Sequence, residues 1–317
     1  MIVNWQEIQN YSWDNLLLGN GFSIGVSQKF NYNSLLKIVD ENNIDMYPHA
    51  RKLFNKDKIG TTNFEEVLRV IYHAYLVNFY NIQAIKELYE NVRKSLIASV
   101  QIGHVDYKDV NKTKIKEELI KYKSIFTTNY DLIVYWSIIE NHFKGFCDFF
   151  WNEETRFDIS NTSISNNKIP IFYLHGALHL KTQPNGNTFK VTGSAESSLM
   201  AILSSGDLGD IPLFISEGTP EMKLRRIREN DYLNFCYRKL LKTRGGLVIY
   251  GHGLDVKYDN HIVDAIKNSE TNKIAISIFS GLAQVQKNSI TSYLDERFEK
   301  TEKEIYFFES ESHPLSH

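Results

Sequence analysis

Only two cysteines, Cys147 and Cys236, occur in 317 residues, and they stand far apart. Neither a disulfide framework nor a Cys-x-x-Cys zinc ribbon can be assembled from them. Charge of one sign is missing too. The 36 lysines and arginines face 38 aspartates and glutamates, so no global basic field draws the chain onto nucleic acid or an anionic membrane. The local stretch Lys223-Leu-Arg-Arg-Ile-Arg228 reads as the solvated face of a helix. No apolar run approaches the roughly 20 residues that span a bilayer. The opening Met-Ile-Val-Asn-Trp has no basic segment leading into an apolar one, which predicts a cytoplasmic protein with no membrane partner. Internal repeats and low-complexity tracts are absent as well. What is present, 42% hydrophobic and 13% aromatic residues, suffices for one large α/β domain with an insertion or for two modest domains.

Short apolar runs alternate with helical stretches. Strand candidates lie at 15–18, 124–127, 169–174, 211–215, 247–250, 274–279 and 305–308. Such alternation predicts a Rossmann-like, doubly wound α/β fold with a mostly parallel sheet. Between the first two strands, Phe64, Leu68, Ile71, Tyr75 and Phe79 recur at helical spacing behind a cap at Asn63. Ile85, Leu88, Val92 and Leu96 form a second face, and a charged helix covers about 114–121. Residues 60–121 are therefore predicted as a helical insertion into a domain built from 1–59 and 122–317. Residues 152–168 read as a loop, and Gln183-Pro-Asn-Gly-Asn187 as a hairpin turn.

Four strand ends carry residues suited to chemistry. Gly19-Asn-Gly-Phe-Ser23 offers backbone freedom at two near-adjacent positions, as a phosphate cradle requires, although an ordinary strand-to-loop turn needs no more. Thr127-Thr-Asn-Tyr-Asp131 places Asn129 and Asp131 where the carboxyl ends of parallel strands line a ligand crevice. Either residue could instead simply cap the helix that follows. Phe172-Tyr-Leu-His175-Gly176 ends in a histidine that is a general base or a hydrogen-bonded structural residue. Tyr250-Gly-His-Gly-Leu-Asp255 repeats the glycine logic of the first loop, and Asp259-Asn-His-Ile262 follows it.

In this order the four motifs resemble the sirtuin superfamily: a glycine-rich first loop, Thr-x-Asn-x-Asp, a strand ending in His-Gly, and a Gly-x-Ser/Gly-Leu loop. Asp255, Asp259, Asn260 and Ile262 further resemble a divergent bacterial sirtuin-like group, some of whose members hydrolyse NAD in antiphage defence. The resemblance covers residues 13–28 and 123–280. It implies that Gly19, Asn20, Gly21, Phe22 and Ser23 meet the NAD pyrophosphate with Thr128 nearby. Gly251, His252, Gly253 and Asp255 would meet a phosphate or the adenosine ribose. Asn129 and Asp131 would face the nicotinamide ribose, and His175 would be the base. All four motifs should then line one pocket. The first loop reads Gly-Asn-Gly where the family usually has Gly-Ala-Gly, and Tyr130 replaces a smaller apolar residue.

Deacylating sirtuins carry a four-cysteine zinc module after the His-Gly pair, whereas this chain has only Cys236 there. The resemblance thus favours an NAD hydrolase that uses NAD as substrate and holds no metal. Lysine deacylation and non-catalytic nucleotide sensing are the rivals. An unrestrained NAD hydrolase would poison its own cytosol, so gating by a homo-oligomer or by a partner such as a HerA-type ATPase is expected by analogy.

Overall fold

The computed structural model describes residues 1–31, 34–139, 145–151, 155–163, 167–183, 186–191, 210–215 and 219–317. Eight parallel strands form the main sheet in the order β1-β11-β10-β9-β2-β3-β5-β4. They are β1 (Ile2–Val3), β2 (Asn15–Leu18), β3 (Ser124–Thr127), β4 (Phe146–Cys147), β5 (Ile169–Tyr173), β9 (Arg244–Tyr250), β10 (Glu270–Ile278) and β11 (Glu304–Glu309). Strands of a parallel sheet are covered on both faces, so their sequences are continuously apolar. Leu16, Leu17 and Leu18 are accordingly all buried, as are Leu247, Val248 and Ile249 on the neighbouring strand. The sheet is doubly wound as the alternation predicts. From β2 the chain moves to β3, then to the edge strand β4 and back to β5 between them, and later returns to the other flank of β2 as β9 and continues outward. Strand order therefore reverses between β2 and β9, the switch point at which open α/β sheets present a crevice at their carboxyl ends.

The strand expected at 211–215 does form, but it is not part of this sheet. β8 (Ile211–Phe214) pairs antiparallel with β6 (Gly176–Thr182), which also pairs with β7 (Thr188–Lys190), to give a separate three-stranded sheet. The chain leaves the parallel sheet at Gly176, whose φ of +76° suits glycine, and a Cβ there would stand 2.0 Å from the Leu213 carbonyl oxygen. The hairpin expected at 183–187 is found, with Thr182 opposite Thr188 and the Gln183 N–H donating to Asn187 O at 2.9 Å. Its Pro184 and Asn185 lie outside the described residues. Of the loop expected at 152–168, Arg156 forms an isolated bridge with Phe189, and residues 152–154 and 164–166 lie outside the described residues.

Among the described residues the helices are α1 (Trp5–Ile8), α2 (Asn20–Val26), α3 (Leu35–Glu41), α4 (Pro48–Leu53), α5 (Phe64–Val77), α6 (Ile82–Gly103), α7 (Lys112–Leu119), α8 (Ile133–Ile139), α9 (Pro220–Glu229), α10 (Asp231–Leu241), α11 (Val256–Lys267) and α12 (Gln284–Phe298). Helices α2 to α7 all fall between β2 and β3, and α5 packs on α6, which packs on α3. The apolar periodicity behind Asn63 holds for Phe64, Leu68 and Ile71, which are buried. It does not extend to Phe79, which lies beyond the end of α5 and is 81% exposed. Helix α6 is tied down by polar bonds: Asn91 Oδ1 accepts the Tyr47 N–H at 2.9 Å, and the Ser95 hydroxyl donates to Asp45 O at 3.0 Å.

Among the described residues six imidazoles are interred in this framework, namely those of His104, His175, His179, His252, His261 and His313. Burial is the largest cause holding each below its ordinary value, to about 4 for His261 and about 3 for His313. The unfolded chain takes up these protons near pH 6.5 while the folded chain refuses them, so stability is full above that pH and is lost as pH falls toward the folded values. Unfolding free energy measured by denaturant titration should therefore decline from about pH 6.5 downward, by a few kcal/mol at pH 4.5. A curve that stays flat down to pH 5 would show that these rings are hydrated or paired when protonated.

Candidate functional site

At the switch point the start of α2, directly after β2, meets the loop after β9 backbone to backbone. The Gly19 N–H donates to Tyr250 O at 2.9 Å and the Gly21 N–H to Gly251 O at 2.7 Å. A Cβ on Gly19 would stand 2.5 Å from the His252 Cα, and one on Gly251, where φ is +70°, would stand 2.3 Å from the Phe22 nitrogen. A Cβ on Gly21 would lie 2.8 Å from the Gly251 Cα. These three glycines thus serve each other's approach. Gly253 is different, because a Cβ there meets nothing within 4 Å. Phe22 and Ser23, expected beside a pyrophosphate, have fully buried side chains, and Phe22 packs edge-on against Tyr250.

Ser23 instead belongs to a buried network. Its hydroxyl accepts from Asn129 Nδ2 at 2.8 Å and donates to Asp131 Oδ2 at 2.5 Å. Asn129 Nδ2 also donates to Gly19 O at 3.0 Å, which fixes the amide orientation and leaves Oδ1 as its acceptor. Asp131 Oδ1 accepts the Ile133 N–H at 2.9 Å, so this carboxylate caps α8 as well as positioning Ser23. Burial raises its pKa, opposed by His104 and by these hydrogen bonds. Thr128 sits between, its N–H and hydroxyl both donating to Leu18 O at 3.0 and 3.3 Å. Tyr130 stacks on Phe214 with ring centres 4.8 Å apart, tying the small sheet to the site.

His175 arrives from the end of β5, where Ile215 N–H holds its carbonyl at 2.7 Å. Its Nε2 lies 2.8 Å from Nε2 of His261 on α11, with the rings stacked at 29°. One of these nitrogens must donate to the other, so Nδ1 is the His175 atom left for chemistry. Asp259 stands at a kink in α11, with φ −134° and ψ 30°. Its Oδ1 accepts from Lys223 Nζ at 2.9 Å, and its Oδ2 lies 3.8 Å from His252 Nε2. Burial would raise the Asp259 pKa, but His175, His252 and Lys223 together hold it well below the usual carboxylate range. Burial, then His261, lowers His175 well below an ordinary imidazole. Lys223 corrects the sequence expectation of a solvated basic face. Lys223 and Ile227, one helical turn apart, are buried, and Arg226 pairs with Glu66 at 2.6 Å, leaving Arg225 and Arg228 as the solvated members.

These side chains surround a cavity of about 240 Å³ lined by Asn20, Thr128, Asn129, Asp131, His175 and Lys223 together with the Gly251, His252 and Gly253 segment. All four motifs thus reach one pocket, the first of them through Asn20, although Gly19 itself is not among the residues that line it. Ligand atoms of His175, Asp259 and His261 lie within 4.8 Å of one another, close enough to hold a metal. A divalent cation there would sit beside the Lys223 ammonium, which already neutralises Asp259, so the charge arrangement is a poor one for it. Across the Gly251–Gly253 segment lies a larger, mainly apolar cavity of about 960 Å³, reached by Gly21, Asp255, Ile276, Leu282, Tyr293 and Glu311. Sequence reading missed Lys223, His261 and Glu311. Only the Lys223–Ile227 spacing carried a signal, because His261 and Glu311 acquire meaning solely through partners distant in sequence.

A family model described as a domain of unknown function, DUF4917, matches residues 16–315. The chain belongs to the DUF4917 family. No curated protein matches it. In this DUF4917 chain the match spans the small cavity, every residue of the network just described and all of the larger cavity's wall except Ser316 and His317. Gly251→Ala should cost about 1–3 kcal/mol through backbone overlap and left-handed strain, whereas Gly253→Ala should stay within about 0.5 kcal/mol of the parent. Thermal melts of the two variants decide this, and equal melting temperatures would remove the argument that the loops depend on each other's missing side chains.

Proposed function

We propose that this protein binds NAD across the two cavities and hydrolyses its nicotinamide–ribose bond, as the sirtuin-like motifs imply. The carrying observation is the division of labour at the switch point. A small polar cavity presenting Asn129 and His175 and a large apolar one suited to a nucleoside share the narrow Gly251–Gly253 wall. A dinucleotide has this shape: two nucleoside halves joined by a pyrophosphate that can lie against backbone.

Nicotinamide leaves as a neutral molecule because it is bound as a cationic pyridinium, so the demand falls on the developing oxocarbenium ion and the attacking water. Asn129 Oδ1, the acceptor its network leaves unused, orients a ribose hydroxyl or the water. His175 Nδ1 takes the proton that water loses as its oxygen bonds to the ribose carbon, giving nicotinamide, ADP-ribose and a proton. The resulting imidazolium donates Nε2–H to His261 and lies near the Asp259 carboxylate. Asp131 acts at one remove, holding Ser23 and through it Asn129. Such an activity needs gating in a cytoplasm, by self-assembly or by an activating protein such as a HerA-type ATPase, consistent with a role in antiphage defence. The tip between α5 and α6, where Val77, Phe79 and Tyr80 are exposed, suits either.

Purified protein, alone and with candidate activators, should release nicotinamide from NAD, measured by chromatography. His175→Ala should lower the rate by about two orders of magnitude or more and change NAD affinity much less. Because burial holds His175 low, it is an unprotonated base at neutral pH, and the rate should show no drop near pH 6.5, falling only at more acidic pH. A His175→Ala enzyme as fast as the parent would make that histidine structural and the mechanism wrong.

A further inference from the structure

The larger cavity carries a charge pattern that the proposed reaction does not use. Two carboxylates reach its wall, Asp255 from the N-cap of α11 and Glu311 from the turn after β11. Among the described residues lining it there is no lysine or arginine. Basic residues around it are engaged with neighbouring groups: Lys287 lies 3.8 Å from Glu309, Lys114 donates to the Ser316 carbonyl, and Arg297 lies 5.0 Å from the centre of the Tyr293 ring. His252 and His317 also line the wall, and burial lowers both, leaving them neutral at pH 7.

Both carboxylates are held in place. Asp255 Oδ1 accepts the Lys257 N–H at 2.8 Å. Glu311 Oε2 accepts the Ser280 N–H at 3.0 Å, the Ser310 hydroxyl at 2.8 Å and the Ser280 hydroxyl. Its Oε1 receives only a longer contact of 3.2 Å from the same Ser280 N–H, so acceptor capacity remains on that oxygen. An anchored carboxylate with a spare acceptor is matched by a ribose diol, whose hydroxyls donate. It is mismatched by a phosphate ester at the same position, which brings like charge and no donor to a wall without a cation.

We propose that Glu311 and Asp255 make this cavity selective for a nucleoside whose ribose hydroxyls are free, and so for NAD against its 2′-phosphorylated counterpart NADP. This rests on the reading that a dinucleotide spans the two cavities. Discrimination arises from repulsion of the wrong ligand as much as from attraction of the right one. It is electrostatic, so it weakens as ionic strength rises.

The test uses the full chain and two ligands that cannot turn over, ADP-ribose and ADP-ribose 2′-phosphate, with binding read by calorimetry. The parent protein should bind ADP-ribose about tenfold or more tightly than the phosphorylated form, roughly one close like-charge contact in partly screened surroundings. In the Asp255→Asn, Glu311→Gln double variant, whose side chains keep their capping and acceptor oxygens, that ratio should shrink at least about threefold, chiefly by tighter binding of the phosphorylated ligand. Thermal melting of the variant checks that it is folded. Equal affinity of the parent for both ligands, or a ratio unchanged in the double variant, overturns the assignment and leaves dinucleotide binding intact. Failure of the parent to bind either ligand overturns both.

Discussion

Everything in the site hangs on how closely two backbones approach at the switch point. The hydrogen bonds from Gly19 to Tyr250 O and from Gly21 to Gly251 O extend the β2–β9 pairing past the sheet edge and into the first turn of α2. Such an approach requires the absence of side chains, and the Cβ positions at 19, 21 and 251 all fall inside occupied space. The result is a thin partition that both cavities use as a wall. A thicker crossing would separate them, and a looser one would not fix the position of Gly253, the glycine whose open side faces the cavities.

The polar residues behind that partition are arranged so that almost no charge is left uncompensated. Asn129, Ser23 and Asp131 satisfy one another and the end of α8, which is what keeps their burial affordable. Asp259 and Lys223 form a close pair with their side chains largely withdrawn from solvent. Removing two ions from water costs several kcal/mol each, and a hydrophobic pair would often be as stable. Fixed dipoles and charges in a dry cavity, however, need no reorganisation when charge develops in a reaction. The His175–His261 contact fits the same pattern: two neutral rings that share one hydrogen bond can accept one further proton close to a carboxylate already in place.

Much of the fold could be read in the chain because parallel strands buried on both faces leave an unmistakable record. Runs such as Leu16 to Leu18 and Leu247 to Ile249 have no other economical use. The run at 211–215 is equally apolar, yet it pairs elsewhere, since apolarity records burial and says nothing about which sheet does the burying. The glycines were located correctly and understood less well: their spacing suits a ligand loop, but three of the four are explained by contact with each other. A basic run such as the one around Lys223 is usually solvated, and the partner Asp259, 36 residues on, is what withdraws this lysine from water. His261 and Glu311 carried no local signal. Phe79 shows the opposite failure, a periodicity that outlasts its helix.

The His104 ring ties helix α6 to the network around Asn129. His104, the residue that ends α6, accepts the Leu132 N–H on Nε2 at 3.0 Å and bonds its own neighbour's carbonyl, Val105 O, through Nδ1 at 2.8 Å. The two bonds fix the tautomer, with the proton on Nδ1, and place the acceptor nitrogen beside the Asp131 cap. Phe30 and Trp136 clamp the ring edge-on at 5.0 and 5.1 Å. From His104 the path to Asn129 runs through Leu132, Asp131 and Ser23, each step a buried hydrogen bond or a peptide link. A partner or second copy that shifted α6 by engaging its exposed tip would therefore act on the orientation of Asn129 without touching either cavity. In a protein whose proposed reaction has to be silent until called for, that is the mechanical consequence of ending the longest helix of the described chain on a residue that holds the strand end bearing Asn129.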